Sequence, residues 1–276
     1  MTIETELLVP AVKDVSVTTA DLGEQTTQAQ HNNMFSIQYD EYEDVIVNQD
    51  QYGIRMTDTA KGRNSASVLI NKMYAWRGYA GAHQLSNDPN RITLVAADHG
   101  KTVGTLTIGL DSPIGLMADQ IFKQEIDAHR QCGARLCEFT KLAFDTEVQS
   151  KFSLANLFHL AVIYARDIHH CTDILIEVNP RHRRFYEHML GFKREGEMRI
   201  NPRVNAPAYL LRVNLEYVTE QIHALGGTFS NGVIGRSFYP YFFSPREERG
   251  IINCLLLVDE HQSAHREAPA NISSSC

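Results

Sequence analysis

The stretch Asp173-Ile-Leu-Ile-Glu-Val178 runs directly into Asn179-Pro-Arg-His-Arg-Arg-Phe-Tyr-Glu-His-Met-Leu-Gly-Phe192. The first six residues are nearly continuously apolar, the pattern of a strand covered on both faces and paired in parallel. Pro180 suits the first turn of a helix over 180–190, and Gly191 suits its end. A strand covered on both faces needs helices above and below the sheet. This segment therefore constrains the fold more than any other part of the chain.

The rest of the chain fits that frame. Short strands are predicted at 44–47 and 52–56. A helix is predicted over 65–79, with Val68, Leu69, Lys72, Met73 and Trp76 along one face. Residues 91–97 and 102–109 form a hairpin about the turn Asp98-His-Gly-Lys101. A helix over 118–132 follows, then a strand at 136–144. The clearest helix covers 153–169, with Ser153 as its cap and Leu154, Leu157, Phe158, Ala161, Val162 and Ala165 at helical spacing. A strand at 208–213, a helix at 215–225, a Gly/Ser/Asn loop at 226–237 and a closing helix at 247–259 complete the order. The expectation is an α/β fold with a mixed central sheet flanked by helices.

Charge is unevenly placed. The net charge is −7. Residues 1–50 carry ten Asp/Glu and one lysine, whereas residues 51–276 carry 23 acidic and 25 basic side chains. Residues 1–34 read as a disordered acidic tail, 35–225 as one domain, and 226–276 as an extension packed on it with a frayed end. The body is too weakly basic to argue for nucleic acid. No 18-residue apolar run marks a membrane span. No signal peptide is visible, which points to the cytoplasm. Five cysteines without zinc spacing suggest neither a metal site nor a disulfide scaffold. His169-His-Cys171 is no better as a metal cluster, because adjacent residues rarely converge on one ion.

The strand, Asn-Pro, and short helix ending Phe-Tyr-x-x-x-Leu-Gly-Phe resemble the late strand–helix element of the GNAT acyltransferase superfamily. Met73-Tyr-Ala-Trp-Arg-Gly-Tyr79, the Asp111…Asp119-x-x-Phe122-x-x-Glu125 stretch and Glu138-Phe-Thr-Lys-Leu-Ala143 narrow the likeness to the long-chain N-acyl amino acid synthases. Acyl-homoserine-lactone synthases are more distantly similar. The resemblance covers about residues 50–225. It implies that strands 136–144 and 173–178 splay apart to admit a pantetheine arm. It further implies an acyl-phosphopantetheine donor on an acyl carrier protein, and an amino acid acceptor attacking directly through its α-amine. Acyl-CoA is the competing donor. Residues 145–156 contain no glycine, unlike the diphosphate cradle common in CoA-dependent relatives. That is compatible with a carrier-bound donor with one phosphate, and also with loss of CoA binding or of catalysis. The alternatives are a CoA-dependent N-acetyltransferase of the same fold and a non-catalytic protein that binds acyl carriers or acyl lipids.

The resemblance also nominates site residues. Glu138 is either a base or amine ligand, or a structural ion-pair partner of Arg135 or Lys141. Thr140 shares its strand face by period two, and Lys141 points away. Tyr186 is either the acid for the departing thiolate or a tyrosine that packs on the sheet and caps a backbone group. Asn179 either orients pantetheine or ends its strand. Arg181, Arg183 and Arg184 form a basic run for carrier docking, or a solvated helix face. Lys151 and Ser153 are candidate phosphate contacts. Arg77 either meets the acceptor carboxylate, with Tyr74 nearby, or pairs at the surface, and Phe139 is either core or acyl lining. Cys137 lacks a histidine partner to make it a nucleophile. The aromatic run Phe238–Phe243 either covers the core, lines the acyl site or touches a membrane surface. A peripheral association with the inner membrane face is compatible with a lipid-like product. The assembly state is left open.

Overall fold

A computed structural model describes residues 45–49, 52–56, 60–76, 85, 88–145, 151–229, 237–253 and 255–256. The expected tail at 1–34 and the candidate Arg77 lie outside these residues. The strands are β1 (Val45–Gln49), β2 (Tyr52–Met56), β3 (Arg91–Asp98), β4 (Lys101–Leu110), β5 (Leu136–Phe144), β6 (Asp173–Val178), β7 (Lys193–Asn201) and β8 (Ala206–Asn214). The helices are α1 (Ala60–Trp76), α2 (Asp119–Gln131), α3 (Lys151–Ile163), α4 (Arg183–Leu190) and α5 (Leu215–Leu225).

One sheet takes all eight strands in the order β1-β2-β3-β4-β5-β6-β8-β7. Every neighbouring pair is antiparallel except β5 and β6, which run parallel. The expected mixed α/β sheet with flanking helices is the observed fold. Alternation along the strands divides the core. Cys137, Phe139, Ile174 and Ile176 join the large cluster with α3. Leu136, Leu175 and Leu210 join Phe122 and Ile126 of α2 on the opposite face. Beside them, Leu69, Ile70 and Met73 of α1 pack with Ala143.

α3 is buried from Ser153 to Ile163. A helix apolar all round needs cover on every side. Its outer side is covered by residues 237–253, where Phe238, Tyr239, Phe242 and Phe243 are all buried. His159 is the polar anchor of this contact. Its Nδ1 accepts the Phe243 backbone N–H at 3.0 Å, and its Nε2 lies 3.4 Å from Glu248 Oε1. Arg166 donates to the same Glu248 oxygen at 2.6 Å. The aromatic run therefore covers the core, one of the roles open from sequence.

Three boundaries differ for physical reasons. The expected helix over 153–169 begins by Lys151 and ends in a π turn over Tyr164–Ile168, so Ser153 lies inside the helix and does not cap it. The helix expected from Pro180 begins at Arg183. Asn179 first closes a turn: its carbonyl accepts the His182 N–H at 2.9 Å and its Oδ1 accepts the Arg181 N–H at 3.2 Å. β7 was not expected at all. Its sequence, Lys-Arg-Glu-Gly-Glu-Met-Arg-Ile-Asn, is polar because it forms the sheet edge and pairs only with β8.

Candidate active site

β5 and β6 pair only through Leu136–Asp173, Cys137–Ile174 and Glu138–Leu175. Beyond Glu138 and Leu175 both strands continue without each other. Backbone groups inside a sheet normally find partners across the ladder, so this parting turns an interior seam into two facing edges. β5 also bulges there. Thr105 faces Ala143 and Thr107 faces Thr140, so β5 spends one extra residue. Lys141 absorbs it in the left-handed region at φ 51°. Thr105 Oγ1 donates to the Lys141 carbonyl oxygen at 2.9 Å and holds the bulge.

A cavity of about 190 Å³ fills the parting. It brings together five sequence candidates: Tyr74, Phe139, Thr140, Asn179 and Tyr186. The bulge corrects the alternation expected for β5, because Phe139, Thr140, Lys141 and Leu142 all line the cavity. Lys141 therefore does not turn away from Thr140. Tyr186 is buried on α4, with its ring 6.4 Å from Phe158 and 5.8 Å from Phe192. Phe139 meets Phe158 edge-on at 5.8 Å. Leu106, Ile176 and Val178 complete an apolar wall on the α3 side.

Glu138 lies beneath the cavity and is not among its lining residues. It is only 1% exposed. Its Oε1 accepts from Arg91 Nη1 at 2.9 Å and from the Met117 N–H at 2.8 Å, and its Oε2 accepts the Ala118 N–H at 3.0 Å. The ion-pair partner is thus Arg91, not Arg135 or Lys141. The carboxylate also sits at the N-terminal end of α2, where free amides and the helix dipole favour an anion. Gly109 makes room for it: a Cβ there would come within 2.8 Å of Glu138 Cγ.

The carboxylate that does line the cavity is Glu177, two residues past the last β5–β6 pair. Asn201 Nδ2 donates to its Oε2, and Arg203 Nη2 donates to its Oε1. Arg203 is itself held, donating from Nη1 to the Met117 carbonyl at 2.7 Å and to Gln120 Oε1 at 2.8 Å. Burial pushes the Glu177 carboxyl above the ordinary carboxylate range; the Arg203 charge opposes this and the nearby Glu138 charge adds to it. Burial likewise pulls the Lys141 ammonium below the ordinary lysine range, helped by Arg91 and opposed by Glu138. Sequence reasoning singled out Glu138 as a carboxylate in an apolar strand. The same signal was present at Glu177 in Asp-Ile-Leu-Ile-Glu-Val.

The basic run does not enter the cavity as a unit. His182 lines it and is 1% exposed, with its Nε2 accepting from Arg181 Nε at 3.0 Å. Arg183 lies over the Tyr209 ring at 5.2 Å and pairs with Glu187 at 3.3 Å. Arg181 and Arg184 are exposed at the same end of the sheet. Lys151, at the start of α3, holds its Nζ 5.5 Å from the Tyr241 ring centre. Ser153 is buried in α3. Cys137 is fully buried and lies outside the cavity lining, and burial pushes its thiol well up. Among the described residues no three His, Cys, Asp or Glu side chains converge as a metal site. No described helix is long and apolar enough to cross a membrane.

Residues 65–214 match the family described as N-acyl amino acid synthase FeeM. Among solved structures, FeeM, an N-acyl amino acid synthase from uncultured soil microbes, is 27% identical. That match covers 61% of this chain and 93% of that one, with a TM-score of 0.56. An acyl-CoA N-acyltransferase from Pseudomonas aeruginosa is 13% identical over 58% of this chain and 98% of its own, with a TM-score of 0.44. The acyl-homoserine-lactone synthase LasI is 12% identical over 59% of this chain and 89% of its own, with a TM-score of 0.45. No curated protein matches the chain.

Proposed function

Because the chain belongs to the N-acyl amino acid synthase FeeM family and is a GNAT-fold acyltransferase, we propose that it moves a long-chain acyl group from a carrier-protein thioester to the α-amine of an amino acid. The observation that carries this reading is the parting of β5 and β6 around a cavity with Tyr186 on its wall. An acyl-pantetheine arm lies in the gap, and its amides take up strand hydrogen bonds that β5 and β6 do not make with each other. A fatty chain suits the wall of Phe139, Phe158, Ile176 and Val178.

The reaction is direct attack of the amine on the thioester carbonyl. A backbone N–H of the bulged segment 139–142 stabilises the oxyanion, preset by the Thr105 contact. Tyr186 protonates the departing thiolate, and Asn179 orients the arm at the mouth. Thr140 and Phe139 shape the wall on which the thioester rests. Glu138 supports the site from beneath by fixing Arg91 and the start of α2 against β5. The glycine-free segment 145–156 favours a donor without a nucleotide diphosphate. Arg181, Arg183, Arg184 and Lys151 are proposed to meet the carrier and its phosphate; Ser153, buried inside α3, drops out of that role. Arg77 and Tyr74 are proposed on the acceptor side.

The test is a mass-spectrometric product screen. The full chain is incubated with acyl carriers of several chain lengths, or the matching acyl-CoAs, and a pooled amino acid mixture. Long-chain N-acyl amino acids formed faster from carriers than from CoA support the reading. Short-chain amides from acetyl-CoA would assign a CoA-dependent N-acetyltransferase instead. Carrier binding without any amide would leave a binding protein.

A further inference from the structure

Three charged side chains line the cavity: Lys141, Glu177 and Arg203, which pairs with Glu177. Lys141 lies on the bulge of β5 and Glu177 on the free edge of β6. Glu177 alternates with Leu175, so it lies on the α2 face, away from the Phe158–Tyr186 wall on the α3 face. Resting on the acyl-transfer reading above, we propose that Lys141 and Glu177 read the acceptor as a zwitterion: Glu177 receives the proton of its ammonium, and Lys141 meets its carboxylate.

The surroundings suit both roles. Glu177 cannot swing away, because Asn201 at the end of β7 and Arg203 in the β7–β8 turn each hold one of its oxygens. A carboxylate oxygen has a second lone pair, so a donor on each leaves capacity for an ammonium. The charged and titratable groups around it are few. Arg203 lies on one side, and Glu138 with its partner Arg91 lies behind on β5 and β3. Lys141 stands across the gap, and His182 and Tyr74 line the cavity farther round. Glu138 cannot take the role itself, since Arg91 and the Met117 and Ala118 amides just before α2 occupy its oxygens, and it is not among the cavity-lining residues. Burial raises the Glu177 carboxyl above the ordinary carboxylate range, the direction that strengthens it as a base.

The protons balance. The acceptor's ammonium gives one proton to a Glu177 oxygen and becomes an amine. Its lone pair forms the C–N bond and gives a tetrahedral oxyanion, which collapses as the C–S bond breaks. The second nitrogen proton neutralises the thiolate by way of Tyr186, which ends with its own hydroxyl restored. Glu177 then releases its proton to solvent.

The test uses the full chain and the amino acid that gives most amide in the product screen. Glu177→Gln should lower kcat/KM at pH 7 by about a hundredfold or more. That loss should shrink to about tenfold or less at pH 10, where solvent deprotonates the acceptor. Glu177→Asp keeps a carboxylate for Arg203 and guards against misfolding of the glutamine variant. It should lose about tenfold at pH 7 and recover likewise at pH 10. Lys141→Met should raise KM about tenfold for the amino acid and leave KM for its methyl ester unchanged. Equal losses at both pH values, or activity near wild type at pH 7, would overturn the role of Glu177. Equal effects on acid and ester would overturn that of Lys141. Wild-type protein that forms no amide with any donor would instead remove the acyl-transfer reading, and this inference with it.

Discussion

Thr105 Oγ1 donates to the carbonyl oxygen of Lys141 at 2.9 Å, joining a fully buried hydroxyl on β4 to the bulged residue of β5. The bond fixes the conformation that turns four consecutive β5 residues toward one cavity. Thr105→Val keeps the shape and removes the donor, leaving a carbonyl unsatisfied. The expected cost is about 1–3 kcal/mol in urea unfolding. Turnover should fall with little change in donor KM, because the oxyanion donor shifts while the walls remain. Unchanged turnover in a destabilised variant would separate the bulge from the chemistry.

Tyr186→Phe removes the proposed acid and little volume. Turnover should fall about 10- to 100-fold with donor binding intact. A thioester of a more acidic thiol needs less help to leave, so an aryl thioester should recover most of the loss. An equal deficit with alkyl and aryl thioesters would show that Tyr186 only packs against Phe158 and Phe192.

Phe158 borders both the main cavity and a smaller apolar one lined by Leu190, Val218 and Tyr239. Phe158→Ala should cost about 3–5 kcal/mol of stability. It should also join the two spaces and move the product spectrum toward longer acyl chains. The shift is read by competing carriers of different chain length in one reaction.

The contact between α3 and the 237–253 segment should weaken in acid, in two stages. Burial lowers the His159 pKa in the folded state, against the pull of Glu248. The unfolded chain therefore takes up a proton near pH 6.5 that the folded one refuses, and stability falls as pH drops below 6.5. Glu248 is held down at about 2 by His159 and Arg166, against its own burial. Its contribution is complete above the ordinary value of 4.5 and is lost as pH falls from there toward 2. Urea midpoints between pH 7.5 and 3 measure both. His159→Phe should flatten the first stage and shrink the second, which Arg166 alone then sustains.

The legible parts of the fold were those with a strong local signal. β5, β6 and α5 lie where their apolar runs end, because a continuous apolar stretch bounded by polar residues leaves little freedom of register. β7 was invisible because a charged edge strand has no inward face; only pairing with β8 makes it a strand. Losing β7 from view also hid the turn that follows it, and with it Asn201 and Arg203. Tyr186 and Asn179 were readable from motif and position. The bulge was not, since Lys141 takes a left-handed conformation without the glycine or asparagine that usually announces one. Period-two reasoning therefore turned Lys141 away from a cavity that it lines.

Only three residue pairs join β5 to β6, so the sheet is two panels hinged along a short spine. One panel carries β1–β5; the other carries β6, β8 and β7. A donor seated between the free edges would act as a removable strand, closing the hinge while it is bound and releasing it once the acyl group has gone. Slowed amide exchange at 139–142 and 176–178 with a non-hydrolysable acyl-pantetheine would mark the closed panels. In mechanical terms, a substrate seated there would be a temporary part of the scaffold that processes it.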